Sequence, residues 1–311
     1  SAWRRAPSGG QGAEGRPHGF TVRPVVVGPV TLLALAKATD AAPAGFDPLS
    51  RLDDLLPVYA ELLSALRAAG AEWVQLDEPA LVSESLPADP AALADAAARA
   101  YGALGVRGDR PAILVAAGYA QLAPEAWTAL AAAPIEAIAI DLTRGAVPET
   151  VPGLDRKTLV GGVIDGRNVW RGDLDAAFTR LEALNDLGAS EISAGTSTSL
   201  QHVPHDVADE SALDPRLASW LAFADQKVAQ VVALATGLVD GRAVIAEPLA
   251  AASTALADRL GAPGVRDGVV RERAAALVAG DFARGDYDGR VAAQGAELAL
   301  PVLPSTTIRS F

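Results

Sequence analysis

Apolar and polar positions along the chain fall into two alternating kinds of segment. One is a run of leucines and alanines at helical spacing; the other is a short, nearly continuous apolar run closed by a polar residue or a glycine. Leu55, Leu62, Leu63 and Leu66 share one helical face, and Gly70 ends that helix. The run after it, Ala71 to Leu81, reads as a buried strand whose pairing stops near Glu78, because Pro79 has no N–H to give. The same alternation predicts strands at 23–31, 112–116, 135–142, 159–164 and 191–194 and helices at 32–37, 90–104, 124–132 and 173–187. The longest helical pattern, Pro215 to Leu238, places Leu217, Leu221, Val228, Val231 and Val232 on one face.

Helix-strand alternation of this kind predicts an α/β fold with a parallel sheet. The count is about six βα units, against eight units and about 250 residues for a TIM-type (β/α)8 barrel. An incomplete barrel is therefore expected over residues 21–240. Residues 1–20, rich in Gly, Arg and Pro, form an irregular arm, and 241–299 form a helical extension interrupted at Gly261–Gly264. Residues 300–311 open with Leu-Pro-Val-Leu-Pro, a stiff, extended linker.

Composition narrows the chemistry. Half of the 311 residues are hydrophobic but only 5% are aromatic, so the core must be built from Ala, Val and Leu. A net charge of −12 opposes binding to nucleic acid or to an anionic membrane, since the summed field repels phosphate. No apolar run reaches the roughly 20 residues that cross a bilayer, and no signal core follows the first arginines, so a cytoplasmic location is expected. There is no Cys and no Met: thiolate ligands and a cysteine nucleophile are excluded, and the chain reads as a fragment or a processed piece.

In parallel α/β folds ligands sit at the carboxyl ends of the strands, which makes Asp77 and Glu78 the first functional-face candidates. Their alternative is structural, as a helix cap and loop anchor. Asp165, Gly166, Arg167, Asn168 and Arg171 mark a second polar strand end. There a guanidinium can bind carboxylates bidentately or pair with Asp165 or Asp173 to hold the loop. His202 and His205 are three residues apart, but Val203-Pro204 between them argues for a loop and a structural hydrogen-bonding role rather than a metal pair.

Six runs resemble cobalamin-independent methionine synthase: GPVTLLALAK (28–37), LLPVYAELLSALRAAGAEWVQLDEPALV (55–82), GGVIDGRNVWRGDLDAAF (161–178), SLQHVP (199–204), LDPRLASWLAFADQKV (213–228) and LPVLPSTTIRSF (300–311). They occur in the family's order and extend over most of residues 21–311, as the later part of the amino-terminal domain plus a linker into a catalytic barrel.

The resemblance implies two face-to-face (β/α)8 barrels and transfer of a methyl group from 5-methyltetrahydropteroyl-polyglutamate to homocysteine. It also implies a zinc held by His, two Cys and Glu in the carboxyl-terminal barrel, where coordination makes the thiol a nucleophile. This chain would supply the supporting barrel, lack the zinc site, and be inactive by itself; its partners are the small-molecule substrates and the catalytic barrel. Ile308, Arg309 and Ser310 stand where the family's Ile-Gly-Ser contacts homocysteine, with Arg309 in place of a glycine that lets backbone approach ligand. Where members carry Ser-Cys-Ser-Leu-Leu-His, residues 197–202 read Ser-Thr-Ser-Leu-Gln-His, without the thiol. Two other readings are a non-catalytic, degenerate barrel acting as a scaffold, and a free-standing barrel enzyme using Asp77 or Glu78 in acid–base chemistry.

Overall fold

Six short strands lie side by side in the order in which the chain makes them, every neighbouring pair parallel. The structure is a computed structural model and describes residues 15, 18–86 and 88–305. The strands are β1 (Val25–Val27), β2 (Trp73–Asp77), β3 (Ala112–Ala117), β4 (Ala137–Asp141), β5 (Thr158–Ile164) and β6 (Glu191–Thr196). Between them run α1 (Pro29–Leu35), α2 (Leu52–Ala68), α3 (Pro90–Gly105), α4 (Pro124–Ala132) and α5 (Leu174–Asn185). After β6 come α6 (Pro215–Trp220), α7 (Ala224–Asp240) and α8 (Ala246–Gly261). Sequential parallel strands with helical crossovers are the arrangement of an incomplete (β/α)8 barrel, with β1 and β6 as its edges among the described residues.

The register aligns one apolar line across the whole sheet: Val26, Leu76, Val115, Ile138, Leu159 and Ile192 are successive partners. The four inner members of that line are fully buried, whereas the two edge members are only half covered. Period two then separates the faces of β2: Val74 and Leu76 are buried, while Trp73, Gln75 and Asp77 between them are half-buried. The buried face meets the helices, as Gly161 shows, since a Cβ there would lie 2.8 Å from Leu181 of α5. Small residues let the helices close in: Ala97 and Ala100 of α3 are fully buried, and a Cβ at Gly105 would meet the Pro134 carbonyl at 2.5 Å. A core poor in aromatics is thus filled by short interhelical distances instead of large rings.

The amino-terminal ends of the strands are tied by two cations. Arg110 donates to both carboxylate oxygens of Glu136 and to the carbonyls of Gly105, Pro111 and Pro134. The Lys157 ammonium donates to the carbonyls of Ala133 and Ile135, just past the end of α4. Cations at a helix carboxyl end meet carbonyls that the helix itself cannot satisfy.

The predicted helix from 215 to 238 is two helices. After Trp220, Leu221 and Ala222 leave the helical path to pair with the loop after β5: Arg171 N–H donates to the Trp220 carbonyl and Ala222 N–H to that of Val169. No glycine or proline marks the break, because its cause is this pairing between segments distant in sequence. The face assigned to that helix also shifts. Val228 and Val232 are more than half exposed, whereas Lys227, Gln230, Leu234 and Gly237 are buried.

The chain divides into two compact units, Ser1–Asp258 and Arg259–Phe311. The described part of the second holds α9 (Gly268–Ala275) and α10 (Tyr287–Leu298), capped by Asp267 and Asp286 and without a buried residue in either helix. Among the described residues no helix is long and apolar enough to cross a membrane.

Candidate functional site

Every strand of the sheet ends on the same side, and the residues that follow β2, β3, β5 and β6 bring polar groups there. Glu78 follows β2 directly and is fully buried. Its Oε1 accepts from Val30 N–H at 3.1 Å and from the Tyr101 hydroxyl at 2.6 Å, and its Oε2 accepts from Thr31 N–H at 2.7 Å. The carboxylate thus closes the first turn of α1, whose N-cap, Gly28, has no side chain to do so. Burial raises the Glu78 carboxyl above its ordinary pKa, and the donors from Thr31, Tyr101 and Val30 pull the other way. Asp77 lies one residue earlier, on the half-buried face, and accepts from Gln75 Nε2 at 2.8 Å.

The second polar strand end is a braced loop. Asp165 Oδ1 accepts from the Arg167 backbone N–H at 2.7 Å and Oδ2 from Asn168 Nδ2 at 2.8 Å; Asn168 Oδ1 in turn accepts from Trp170 N–H. Asp173 accepts from Ala176 N–H and caps α5. Two residues of α7 hold the loop from below: Lys227 donates to the Trp170 carbonyl at 3.2 Å and Gln230 accepts from Gly172 N–H. Lys227 is 1% exposed. Burial brings its pKa down to about 8, with the nearby Asp165 opposing that fall.

Because Asp165 and Asp173 are occupied in this way, the Arg167 guanidinium is left without a carboxylate. Its Nε and Nη2 are covered and have no hydrogen-bond partner among the described residues; the same holds for Arg171 Nε, Thr198 Oγ1 and Asp141 Oδ2. Unpaired covered polar atoms cost about 1–3 kcal/mol each, so such a concentration at the strand ends is a departure from the rest of the fold. The guanidinium lies 5.9 Å from the ring centre of Tyr119, and the His202 ring meets Tyr119 edge-on at 6.5 Å.

Thr198 is where these loops meet. A Cβ at Gly166 would lie 2.5 Å from the Thr198 carbonyl oxygen, and one at Gly118 would lie 3.0 Å from that of Ser197. Only glycine lets the β3, β5 and β6 loops close to this distance.

Arg167 and Asn168 are therefore brought together with Tyr119, Thr198, His202 and Lys227, none of which strand-end polarity had singled out as functional. Tyr119, two residues beyond the end of β3, was within reach of that rule. Lys227 was not, since it hides in a helix that reads as apolar on its other face. His205 is exposed, 3.9 Å from Asp209 and 3.7 Å from Asp225. Ile308, Arg309 and Ser310 lie outside the described residues. Among the described residues no group of three or more His, Cys, Asp or Glu side chains is arranged to hold a metal ion.

A family model described as the cobalamin-independent synthase N-terminal domain matches residues 11–189. A Streptomyces coelicolor protein named 5-methyltetrahydropteroyltriglutamate–homocysteine methyltransferase is 48% identical over 305 residues, spanning 96% of this chain and 39% of that protein. Proteins of the same name from Streptomyces avermitilis and Mycolicibacterium paratuberculosis are 50% and 48% identical, each over 94% of this chain and 38% of their own length. The chain thus spans about two fifths of these relatives.

Proposed function

From the premise that the chain belongs to the cobalamin-independent synthase N-terminal domain family, we propose that it is the supporting barrel of a methyltransferase. The reaction is transfer of a methyl group from 5-methyltetrahydropteroyl-polyglutamate to homocysteine, forming methionine. The single observation that carries this reading is the family match over residues 11–189, more than half of the chain. The relatives' shared name supplies the methyl donor and the acceptor.

In this reading the chemistry belongs to a carboxyl-terminal catalytic barrel, the partner that this chain faces. Zinc, when bound there, makes the homocysteine thiol a nucleophile. The zinc ligand set of His, two Cys and Glu cannot be assembled from these 311 residues, which contain no Cys. What this chain contributes is a surface. Arg167 and Asn168 stand on the face turned to the substrate, and Asp77 lies on the same strand-end side. Glu78 acts at one remove, by holding the first turn of α1 in place. Ile308, Arg309 and Ser310 would meet homocysteine, with the Arg309 side chain narrowing the approach that a glycine leaves open. The location is cytoplasmic, where both substrates are used.

The burial of Glu78 and its three structural hydrogen bonds favour, as a second reading, a barrel that serves only as a scaffold. Mixing the chain with a separately expressed carboxyl-terminal barrel separates the two. Complex formation with methyl transfer to homocysteine is expected; neither complex nor activity would overturn the proposal, and a complex whose activity is independent of this chain would favour the scaffold.

A further inference from the structure

Three side chains from three strand-end loops converge on one spot without pairing to any carboxylate. Tyr119 follows β3, Arg167 follows β5 and His202 follows β6. We propose that Tyr119, Arg167 and His202 form a subsite for the carboxylate of a small molecule, with the Arg167 guanidinium as the charged contact and the Tyr119 ring as its platform.

Four observations carry this. The two acidic residues of the Arg167 loop are spent elsewhere: Asp165 on a backbone N–H and the Asn168 amide, Asp173 on the cap of α5. The guanidinium therefore has no carboxylate partner within the fold, and with Nε and Nη2 covered, Nη1 is the nitrogen left to an incoming oxygen. A charge-assisted N–H donor at Nη1 suits one carboxylate oxygen, and the Tyr119 ring, its centre 5.9 Å from the guanidinium, restrains that group. The loop is also rigid before any ligand arrives, being held by Lys227 and Gln230 from α7 and by Thr198 against Gly166. Such preorganisation lowers the ordering cost of binding.

The fourth observation is backbone strain at Tyr119 itself. Its φ is +89°, the only positive φ in a non-glycine residue among the described residues of the first unit. A bulky residue in that region is unfavourable, and glycine would be at ease there. The fold retains a strained tyrosine where a glycine would fit, and the ring it presents is the one that Arg167 and His202 each approach.

An oligoglutamate tail and an isolated carboxylate share this chemistry; that the tail is the physiological source rests on the function proposed above. The test uses the whole 311-residue chain, calorimetric titration with tri-γ-glutamate, and acetate at equal carboxylate concentration. Triglutamate is expected to bind, to weaken with added salt, and to lose about tenfold or more in affinity in Arg167→Gln. Arg167→Lys, which keeps the charge without the planar guanidinium beside Tyr119, is expected to fall between the two and serves if the glutamine variant does not fold. Tyr119→Gly should weaken binding while leaving the thermal midpoint unchanged or higher, a split that a purely structural tyrosine would not produce. Acetate binding as tightly per carboxylate would make the site a general carboxylate site; tighter triglutamate binding would mark it as a tail site. Equal triglutamate affinity in wild type and Arg167→Gln, or no binding by the wild type at millimolar ligand, would overturn the inference. If methyl transfer with the carboxyl-terminal barrel persists in that case, the proposed function stands and only the subsite falls.

Discussion

The Tyr101 hydroxyl donates to Glu78 Oε1 at 2.6 Å, inside a space where neither side chain has any contact with solvent. Tyr101 comes from α3 and Glu78 from the end of β2, and through Val30 and Thr31 the same carboxylate holds α1. One buried acid thus joins three elements. Its three donors all need an acceptor, which decides what a substitution does.

Glu78→Gln places an amide N–H₂ against at least one of these donors. The expected cost is about 2–3 kcal/mol in urea unfolding, and about 1–2 kcal/mol for Tyr101→Phe, which removes one donor without creating a clash. Burial raises the Glu78 pKa from 4.5, so the folded chain keeps this proton to a higher pH than the unfolded chain does. Its contribution is therefore complete below about 4.5 and is lost as pH rises through the folded value. That fall should be absent from Glu78→Gln; an identical pH profile in both proteins would refute the assignment.

Lys227 gives the opposite sign in another window. The unfolded chain holds this proton to about 10.5 and the folded chain only to about 8. Below about 8 the charged ammonium is buried at full cost; between the two values the folded state has already released the proton, and stability rises with pH. Lys227→Met should lack that rise. Urea midpoints at several values across the window, compared between the two proteins, measure it, and a constant difference would count against the buried lysine.

Gly166→Ala puts a Cβ 2.5 Å from the Thr198 carbonyl oxygen and 2.6 Å from Thr198 Oγ1. The loops after β5 and β6 must separate, at about 1–3 kcal/mol. Thermal melting should show the loss, and the ring contact between Tyr119 and His202, read by nuclear Overhauser effects, should weaken with it. An unchanged ring contact would mean that Thr198 does not set the loop spacing.

Arg110→Met tests the other end of the sheet. It removes the ion pair of Glu136, which keeps only the Ile113 N–H, and leaves three carbonyls without their donor, so a loss of about 1–3 kcal/mol is expected. Triglutamate affinity should not change, since the arginine sits at the amino-terminal ends of the strands. A large affinity loss in this variant would show that the two ends are coupled.

Much of the fold was legible along the chain, for a local reason. Each of the six strands is a β-branched or alanine-rich run closed by a polar or glycine residue, and most helices carry their own start signal, such as Asp173 before α5 or Asp89 before Pro90. The division of Pro215–Leu238 into two helices was not legible, because Leu221 and Ala222 are pulled out by partners near Val169 and Trp170. The candidate site was half legible. Arg167 and Asn168 carry a polar strand-end signature of their own, whereas Tyr119, His202 and Lys227 acquire meaning only from what lies opposite them.

By itself, then, the sequence determined the order of elements, the parallel α/β class, the family resemblance, and the absence of thiol ligands, all of which depend on residue type and short-range period. Tertiary structure alone decided which polar groups are consumed by the fold and which are left over. Glu78 and Arg167 look alike along the chain, each a charge at the end of a strand. Packing buries the first among three donors and sets the second over an aromatic ring with no carboxylate paired to its guanidinium. That difference is one of partners brought together across 23 to 48 residues of sequence, and no local pattern encodes it.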